Sequence, residues 1–173
     1  MKHIFDELSV LWEELDKESL AQICDLIQSH FYTGHLIGLG AGRMGYSMRA
    51  FVMRLSHLGM SSWMIGDTTL PRVTNKSIIF INSSSGETES NVLFCKQAKL
   101  AGGLIVSMTT NPKSQIGLMS DHHLEIPKFQ SKQLMKTLYE QFSFLLFDYV
   151  ASELAQRLEI PNEFINHNHS ILE

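Results

Sequence analysis

The sequence predicts an α/β sandwich in which helices cover a parallel sheet of five strands. Two observations indicate this fold. Short apolar runs recur along the chain, and segments with helical periodicity separate them. The runs are apolar throughout rather than alternating, which is typical of strands buried on both faces. With 173 residues, the chain is expected to form a single domain, 1–173.

The amino-terminal segment, about 4–30, is predicted to form one or two helices. Its apolar residues recur every three or four positions, at Ile4, Leu8, Leu11, Leu15, Leu20, Ile23 and Ile27. The first strand, HLIGLG (35–40), leads through a glycine loop into a helix that Gly59 closes.

Four further strands are predicted, at 61–66, 77–82, 104–110 and 122–127. A helix follows the third strand and a short helix near 114–120 follows the fourth. The remaining segment, about 131–173, is a helix and tail. The helix, from Ser131 to about Leu158, is apolar on more than one side, so we expect another subunit to cover part of it.

Composition and charge exclude several classes of partner. Hydrophobic residues make up 44% of the chain, charged residues 18%, and the formal net charge is −4, so neither nucleic acid nor a membrane is expected as a partner. Cys24 and Cys95 lie in helical patterns and are interpreted as buried reduced thiols. The amino terminus lacks the pattern of a secretory signal, and no apolar run approaches the length of a membrane span. We expect a cytoplasmic protein.

The stretch FINSSSGETES, 80–90, follows a strand and opens a helix. Helix amino termini at the ends of parallel strands bind anions, and this one has extra hydroxyls and a glycine, at Ser83, Ser84, Ser85, Gly86 and Thr88. The alternative is a capping box from Ser84 to Glu87. Spacing alone gives the two interpretations equal weight. A cap needs only one hydroxyl, so the surplus favours a phosphate site that uses no lysine.

The loop GLGAGRMG contains Gly40, Gly42 and Gly45 in the spacing of a dinucleotide fingerprint. A nicotinamide enzyme is therefore an alternative, with Asp67 as the ribose-binding acid. Asp67 lies later in the chain than that motif expects, and the serine cluster argues against it.

Several charged or titratable residues are candidates for ligand binding or catalysis. Arg43 stands in the glycine loop, where a cation could bind an anion. Glu140 begins a very apolar stretch, where burial could raise its pKa towards that of a base, although an early-helix acid favoured by the helix dipole explains it equally well. His57 could be structural. A metal site at His167 and His169 would need further ligands, so no metal is expected.

These motifs resemble the sugar isomerase (SIS) domain family, and within it the 6-phospho-3-hexuloisomerases, over nearly the whole chain. GAGRMG is similar to GAGRSG, MRLSHLG to MRLMHLG, SSSGETES to SGSGETES, MTTNPKS to TSNP-type loops, TLYE to TLFE, and HSILE to HANLE. Three departures stand out. Met44 replaces a serine, Ser84 replaces a glycine, and LMKTLYE lacks the family's proline and glycine.

The resemblance implies a flavodoxin-like three-layer sandwich that binds a phosphosugar at its strand ends, in a homo-oligomer, tetramer or dimer, with sites between subunits. It implies that Ser83, Ser85 and Thr88 hold the phosphate, with Arg43 and Ser47 in the same cleft. Glu140 is then the base, and His57 and His169 are acids or hydroxyl-orienting groups that a neighbouring chain could supply.

The implied reaction interconverts 3-hexulose 6-phosphate and fructose 6-phosphate through an enediol. No metal or organic cofactor is chemically required for it, because a carboxylate with positioned donors suffices. Two alternatives remain open: an isomerase for another sugar phosphate, such as arabinose 5-phosphate, and a sugar-phosphate-binding protein without activity.

Overall fold

The computed structural model describes residues 1–169 and 171. The helices are α1 (Lys2–Glu14), α2 (Lys17–His30), α3 (Gly42–Leu58), α4 (Glu89–Leu100), α5 (Gln115–Met119), α6 (Thr137–Arg157) and α7 (Asn162–His167). The strands are β1 (His35–Gly40), β2 (Ser62–Met64), β3 (Ser77–Asn82), β4 (Leu104–Thr109) and β5 (His122–Glu125). They form one sheet in the order β2-β1-β3-β4-β5, with every pair parallel. The predicted fold class is confirmed.

The strands are apolar throughout because both faces of the sheet are covered. Alternate residues of the central strands, such as Ile78 and Phe80 in β3, pack into a core with α1, α2, α3 and α6. Their neighbours Ile79 and Ile81 pack into a second core with α4 and α5. Since side chains alternate across a strand, each strand supplies both layers, which gives a three-layer sandwich.

The long carboxyl-terminal helix begins six residues later than its apolar pattern predicts. Helix α6 starts at Thr137 rather than Ser131. The hydroxyl of Ser131 and the amide of Lys132 instead donate hydrogen bonds to the carboxylate of Glu7 on α1. A contact between residues far apart in the chain therefore holds 131–136 outside the helix.

Both cysteines are free and buried, as predicted. Burial raises the pKa of the Cys24 thiol and of the Cys95 thiol to about 11. Each therefore stays protonated at neutral pH and behaves as a small apolar side chain. Among the described residues, no helix has the length and apolar character that crossing a membrane requires.

Helix α6 keeps part of its apolar surface exposed. Phe144, Leu145 and Tyr149 remain exposed, and Tyr149 contacts Trp12 of α1 with ring centroids 5.0 Å apart. An apolar groove of about 360 Å³ lies here and is bordered by Leu145, Tyr149, Trp12 and Phe5. A second subunit on this face of α6 stays a prediction.

Candidate active site

Three loops begin side by side at the carboxyl edge of the sheet. Gly40 at the end of β1 pairs with Asn82 at the end of β3, and Asn82 pairs with Met108 near the end of β4. The glycine loop, the serine turn and the loop after β4 therefore meet at one edge, where parallel sheets bind ligands.

The serine turn has a fixed backbone and two unused hydroxyls. Ser83 donates its amide to the Met108 carbonyl at 3.1 Å, and the Ser84 carbonyl accepts from both the amide and the hydroxyl of Thr110 at 2.9 Å. The side chains of Ser83 and Ser84 are buried, yet neither hydroxyl has a hydrogen-bond partner among the described residues. Buried polar atoms are rarely left unpaired, so this turn is shaped for a ligand or for water.

The capping-box interpretation of this turn is wrong. Helix α4 begins at Glu89 with Thr88 in the N-cap position, and no side chain caps it. The Glu87 carboxylate accepts instead from the amide and the side chain of Gln115, at 2.9 and 2.8 Å. Glu87 thus ties the turn to the start of α5, and the hydroxyls of Ser83 and Ser84 are not used as caps.

Ser85, Thr88 and Gly86 complete the turn. Ser85 is exposed and accepts the Glu87 amide at 3.2 Å, while Thr88 is half-buried at the start of α4. Gly86 has φ 68°, and a Cβ atom there would lie 2.0 Å from the Ser114 hydroxyl oxygen. The close approach that this glycine permits is therefore to Ser114. Left-handed backbone and lack of space both require glycine at this position.

Ser84 is accommodated without backbone strain although it carries a Cβ where the family has glycine. Among the described residues other than glycine, positive φ occurs at Met135 and Glu159, not at Ser84. The Ser84 amide lies 3.4 Å from the Met44 sulfur and donates to it. Two of the three departures from the family motifs, Met44 and Ser84, are thus in contact with each other.

Arg43 and Glu140 form an ion pair across the same edge. Arg43 lies at the start of α3 with 67% of its side chain exposed, and Glu140 lies in the first turn of α6 with 14% exposed. The Arg43 Nε atom donates to the carboxylate. Both line a cleft of about 250 Å³ with Tyr46, Ser47, Gln141 and Phe144.

A buried network of polar side chains connects this ion pair to the serine turn. Asn82 donates to the Ser47 hydroxyl at 3.0 Å and accepts from the Tyr139 hydroxyl at 2.8 Å. Ser47 lies 3.1 Å from the hydroxyl of Ser143, which donates to the Glu140 carbonyl at 2.9 Å. Asn82 directly precedes Ser83, so the network fixes the serine turn relative to the start of α6.

The sequence prediction missed three residues of this network, Asn82, Tyr139 and Ser143. The Tyr139 hydroxyl also lies 2.8 Å from the Met108 carbonyl and shares its one hydrogen between this acceptor and Asn82, and burial raises the pKa of its phenol well above its usual value. Tyr139 therefore acts as a neutral donor. One signal was present in the sequence: Asn82 is the polar residue that ends an otherwise apolar run, IIFIN.

A second cleft, of about 310 Å³, opens beside the serine turn. One wall comes from the strand ends and α6, through Ser84, Thr110 and Tyr139. The segment between β5 and α6 forms the other wall and presents Lys128 and Lys136. This cleft combines hydroxyl groups with cationic side chains.

The predicted histidines lie at the opposite end of α3. His57 is buried in the last turn of α3, and its ring centroid lies 5.1 Å from that of the exposed His169. Fourteen residues separate Arg43 from His57, which is about 21 Å at the 1.5 Å rise per helical residue. Within one chain, the structure therefore does not bring His57 and His169 to Glu140.

Neither Asp67 nor a metal-binding cluster of the described residues extends the site. The Asp67 carboxylate accepts the Met64 amide of β2 at 2.8 Å and lies 3.8 Å from Arg49 of α3, so it is already engaged by both elements. In the described part of the chain, no three His, Cys, Asp or Glu side chains are grouped to hold a metal ion.

Comparison with known proteins identifies the family. The SIS domain matches residues 51–151, more than half of the chain. The chain belongs to the SIS domain family. The 3-hexulose-6-phosphate isomerase of Bacillus subtilis (strain 168) is 30% identical over 86% of each protein. The enzyme of the same name from Mycobacterium gastri is 31% identical over 97% of this chain and 87% of its own length.

Solved structures of related proteins have the same fold. A hypothetical protein from Methanococcus jannaschii, described with an inferred function of 3-hexulose-6-phosphate isomerase, is 27% identical with a TM-score of 0.86 over 99% of this chain and 98% of its own. The Vibrio vulnificus NanR protein complexed with ManNAc-6P is 21% identical, with a TM-score of 0.78 over 96% of this chain and 65% of its own. At that identity, the second likeness concerns the fold alone.

Proposed function

We propose that this SIS domain protein is a phosphosugar isomerase that interconverts 3-hexulose 6-phosphate and fructose 6-phosphate. The observation that carries the proposal is the pair of buried, unpartnered hydroxyls of Ser83 and Ser84, connected through the Asn82 network to the start of α6, where Glu140 lies. The names of the relatives in Bacillus subtilis and Mycobacterium gastri support the choice of substrate.

The serine turn binds the phosphate group of the sugar in this proposal. Ser83 and Ser84 donate their hydroxyls, with Ser85 and Thr88 on the same turn. The first amides of α4 point out of the helix, because Val92 is the first to bond back, to the Thr88 carbonyl at 2.9 Å. Hydroxyls, free amides and the helix dipole of this turn together bind a dianion.

Glu140 is the base that moves the proton between carbons. It takes the proton from C2 of the 3-ketose, and the electrons of that bond form the enediolate between C2 and C3. Transfer of the O2 proton to O3 and return of the proton from Glu140 to C3 give the 2-ketose. Arg43 holds the carboxylate at the cleft, and its charge stabilises the negative charge that develops on the enediolate oxygens.

His57 and His169 take part as donors only if a neighbouring subunit supplies them, since their own chain places them at the far end of α3. There they would orient the sugar hydroxyls or relay the proton between O2 and O3. A 3-ketohexose phosphorylated on O6 has no hydroxyl placed to close a five- or six-membered ring on its carbonyl. Ring opening is therefore not part of this mechanism.

The second candidate is a sugar-phosphate-binding protein without catalytic activity. One contact favours it: the Met44 sulfur accepts the Ser84 amide. This contact competes with the phosphate for one donor of the turn, and Met44 also removes the hydroxyl that the family motif has there. Such a protein would bind the sugar phosphate and leave it unchanged.

Proton exchange in deuterated water tests the function directly. The purified protein is mixed with fructose 6-phosphate, and the C1 and C3 proton signals are followed by NMR, with Glu140→Gln as the matched control. Loss of the C3 signal with wild type alone is the expected result. Loss of the C1 signal indicates aldose–ketose chemistry on another sugar phosphate. No exchange, together with thermal stabilisation by the sugar phosphate, supports the binding protein.

A further inference from the structure

Glu7 is a buried carboxylate in α1, distant in sequence from the site. It accepts three hydrogen bonds from one short segment: from the Ser131 hydroxyl at 2.7 Å, the Lys132 amide at 3.1 Å and the Gln133 side-chain amide at 3.1 Å. The first of these joins residues 124 positions apart. Ser131 also accepts the Gln133 amide at 2.9 Å, so the donors are fixed relative to one another.

These bonds keep Glu7 ionised. The Ser131 hydroxyl and then the Lys132 amide lower the pKa of the Glu7 carboxyl below its ordinary value. Hydrogen bonds to an ionised acceptor are stronger than those between neutral groups. The carboxylate therefore anchors the segment at neutral pH.

Glu7 is bonded to residues 131–133, which lie within the segment 128–136 that forms one wall of the 310 Å³ cleft beside the serine turn. This segment presents the cationic side chains of Lys128 and Lys136 to the cleft, which Ser84, with its unpartnered hydroxyl, also lines. Leu11 of α1 also lines the cleft and lies four residues after Glu7, on the same face of the helix. Helix α1 thus bonds to this wall through Glu7 and lines the cleft through Leu11.

We propose that Glu7 is a positioning residue for sugar-phosphate binding. By holding residues 128–136 in place, it sets the distance between their lysines and the serine turn. An anionic sugar then binds between two walls of fixed separation. This role rests on the proposed function, because it assumes that the ligand of the cleft is a phosphosugar.

The position of Glu7 predicts a kinetic signature. Glu7 itself does not line the cleft, and its bonds go to the segment rather than to Arg43, Glu140 or Ser47. Its loss therefore weakens binding and leaves the proton-transfer groups in place. KM for fructose 6-phosphate should rise while kcat changes little.

The test compares Glu7→Ala and Glu7→Gln with Glu14→Gln, which changes an exposed acid of the same helix. We expect KM to rise about tenfold for Glu7→Ala and less for Glu7→Gln, with kcat within about twofold of wild type. Glu14→Gln should match wild type. A tenfold fall in kcat with unchanged KM, or no change in either, would overturn the role of Glu7.

Limited trypsin digestion supplies a readout that needs no activity. The amide of Lys132 is bonded to Glu7 in wild type, so cleavage at Lys128 and Lys132 should be slow. In the Glu7 variants it should be about tenfold faster, because local opening is required for proteolysis. Equal cleavage rates in all variants contradict an anchored segment, even if the protein proves to have no isomerase activity.

The double variant Ser131→Ala/Gln133→Ala removes donors from the segment without altering α1. It should reproduce the rise in KM and the faster cleavage, and combining it with Glu7→Ala should add little. Full additivity of the two changes would show that they act separately and would contradict the proposal. Thermal stabilisation by fructose 6-phosphate, measured on the same proteins, reports binding if turnover is absent.

Discussion

The two ends of helix α3 differ in what a single chain assembles around them. At the amino end, Arg43 pairs with Glu140, and Ser47 joins a buried network that reaches Asn82 and the serine turn. At the carboxyl end, His57 contacts His169 beside a cleft of about 360 Å³, lined also by Arg49, Asp67 and Asn168. The first end combines the serine turn with a carboxylate, and the second has two imidazole rings.

The length of α3 explains why these two sets stay apart. About 21 Å of helix, at 1.5 Å per residue, exceeds the reach of any side chain, and a packed helix does not bend to close such a gap. If both ends serve one reaction, the histidine end of one chain must meet the Glu140 end of another.

Among these variants, Glu140→Gln, beside the amino end of α3, should have the largest effect, and this effect is on kcat. The amide keeps the size of the side chain but cannot take a proton, so kcat for fructose 6-phosphate should fall about a thousandfold, within the range for loss of a general base. Thermal shift should still show sugar-phosphate binding. Asp148→Asn, an exposed acid of α6, is the control. A fall of less than tenfold would remove Glu140 from the mechanism.

Gly86→Ala should lower the free energy of unfolding by about 3 kcal/mol. The new Cβ would press against Ser114, and alanine would also have to adopt a left-handed backbone conformation. Urea unfolding measures this loss. Gly59→Ala, at the carboxyl end of α3, is the comparison: its Cβ would lie 3.1 Å from the Phe164 ring at φ 99°, and a movable side chain can yield. Gly86→Ala/Ser114→Gly should recover part of the loss. Equal effects at the two glycines would contradict the packing described for Gly86.

Ser83→Ala should weaken phosphosugar binding by about 2 kcal/mol, or about thirtyfold in KM, the value of a hydrogen bond to a charged group. Because this hydroxyl has no partner among the described residues, the melting temperature without ligand should not fall. A merely structural serine would give the opposite pattern, a lower melting temperature with unchanged KM. Ser90→Ala, exposed in the first turn of α4, is the control.

Met135→Gly should have the smallest effect, a gain of about 0.5 to 1 kcal/mol in the free energy of unfolding. Met135 has φ 53° just before α6, and glycine adopts that conformation without the steric cost that other residues meet. Glu159→Gly, at the other end of α6 with the same φ, should behave alike. Met135→Ala should bring no such gain. A loss of stability in both glycine variants would show that these side chains contribute packing.

The strands that the sequence predicted best are the most buried ones. β1 and β3 match their apolar runs at 35–40 and 77–82, because continuous burial leaves a continuous apolar signal. The start of α6 was misplaced because Glu7, far away in sequence, takes the donors of Ser131 and Lys132. Local periodicity contains no information about such a contact.

Local sequence patterns also predicted the candidate site only in part. The serine turn was found because its hydroxyls are adjacent in sequence, but the capping pattern was misleading because Glu87 bonds to Gln115 instead. The links from Asn82 to Ser47 and Tyr139 join three separate elements, and only the folded chain brings them together. The distance between His57 and Arg43, by contrast, follows from helix geometry alone.

Mixing two inactive variants tests the central claim, that the two ends of α3 meet between subunits. His57→Ala and Glu140→Gln are prepared singly, mixed in equal amounts after reversible dissociation, and assayed with fructose 6-phosphate. If each site combines Glu140 of one chain with His57 of another, random assembly restores about a quarter of the wild-type sites. Activity that stays at the sum of the two separate variants would contradict the account and show that no site combines Glu140 of one chain with His57 of another.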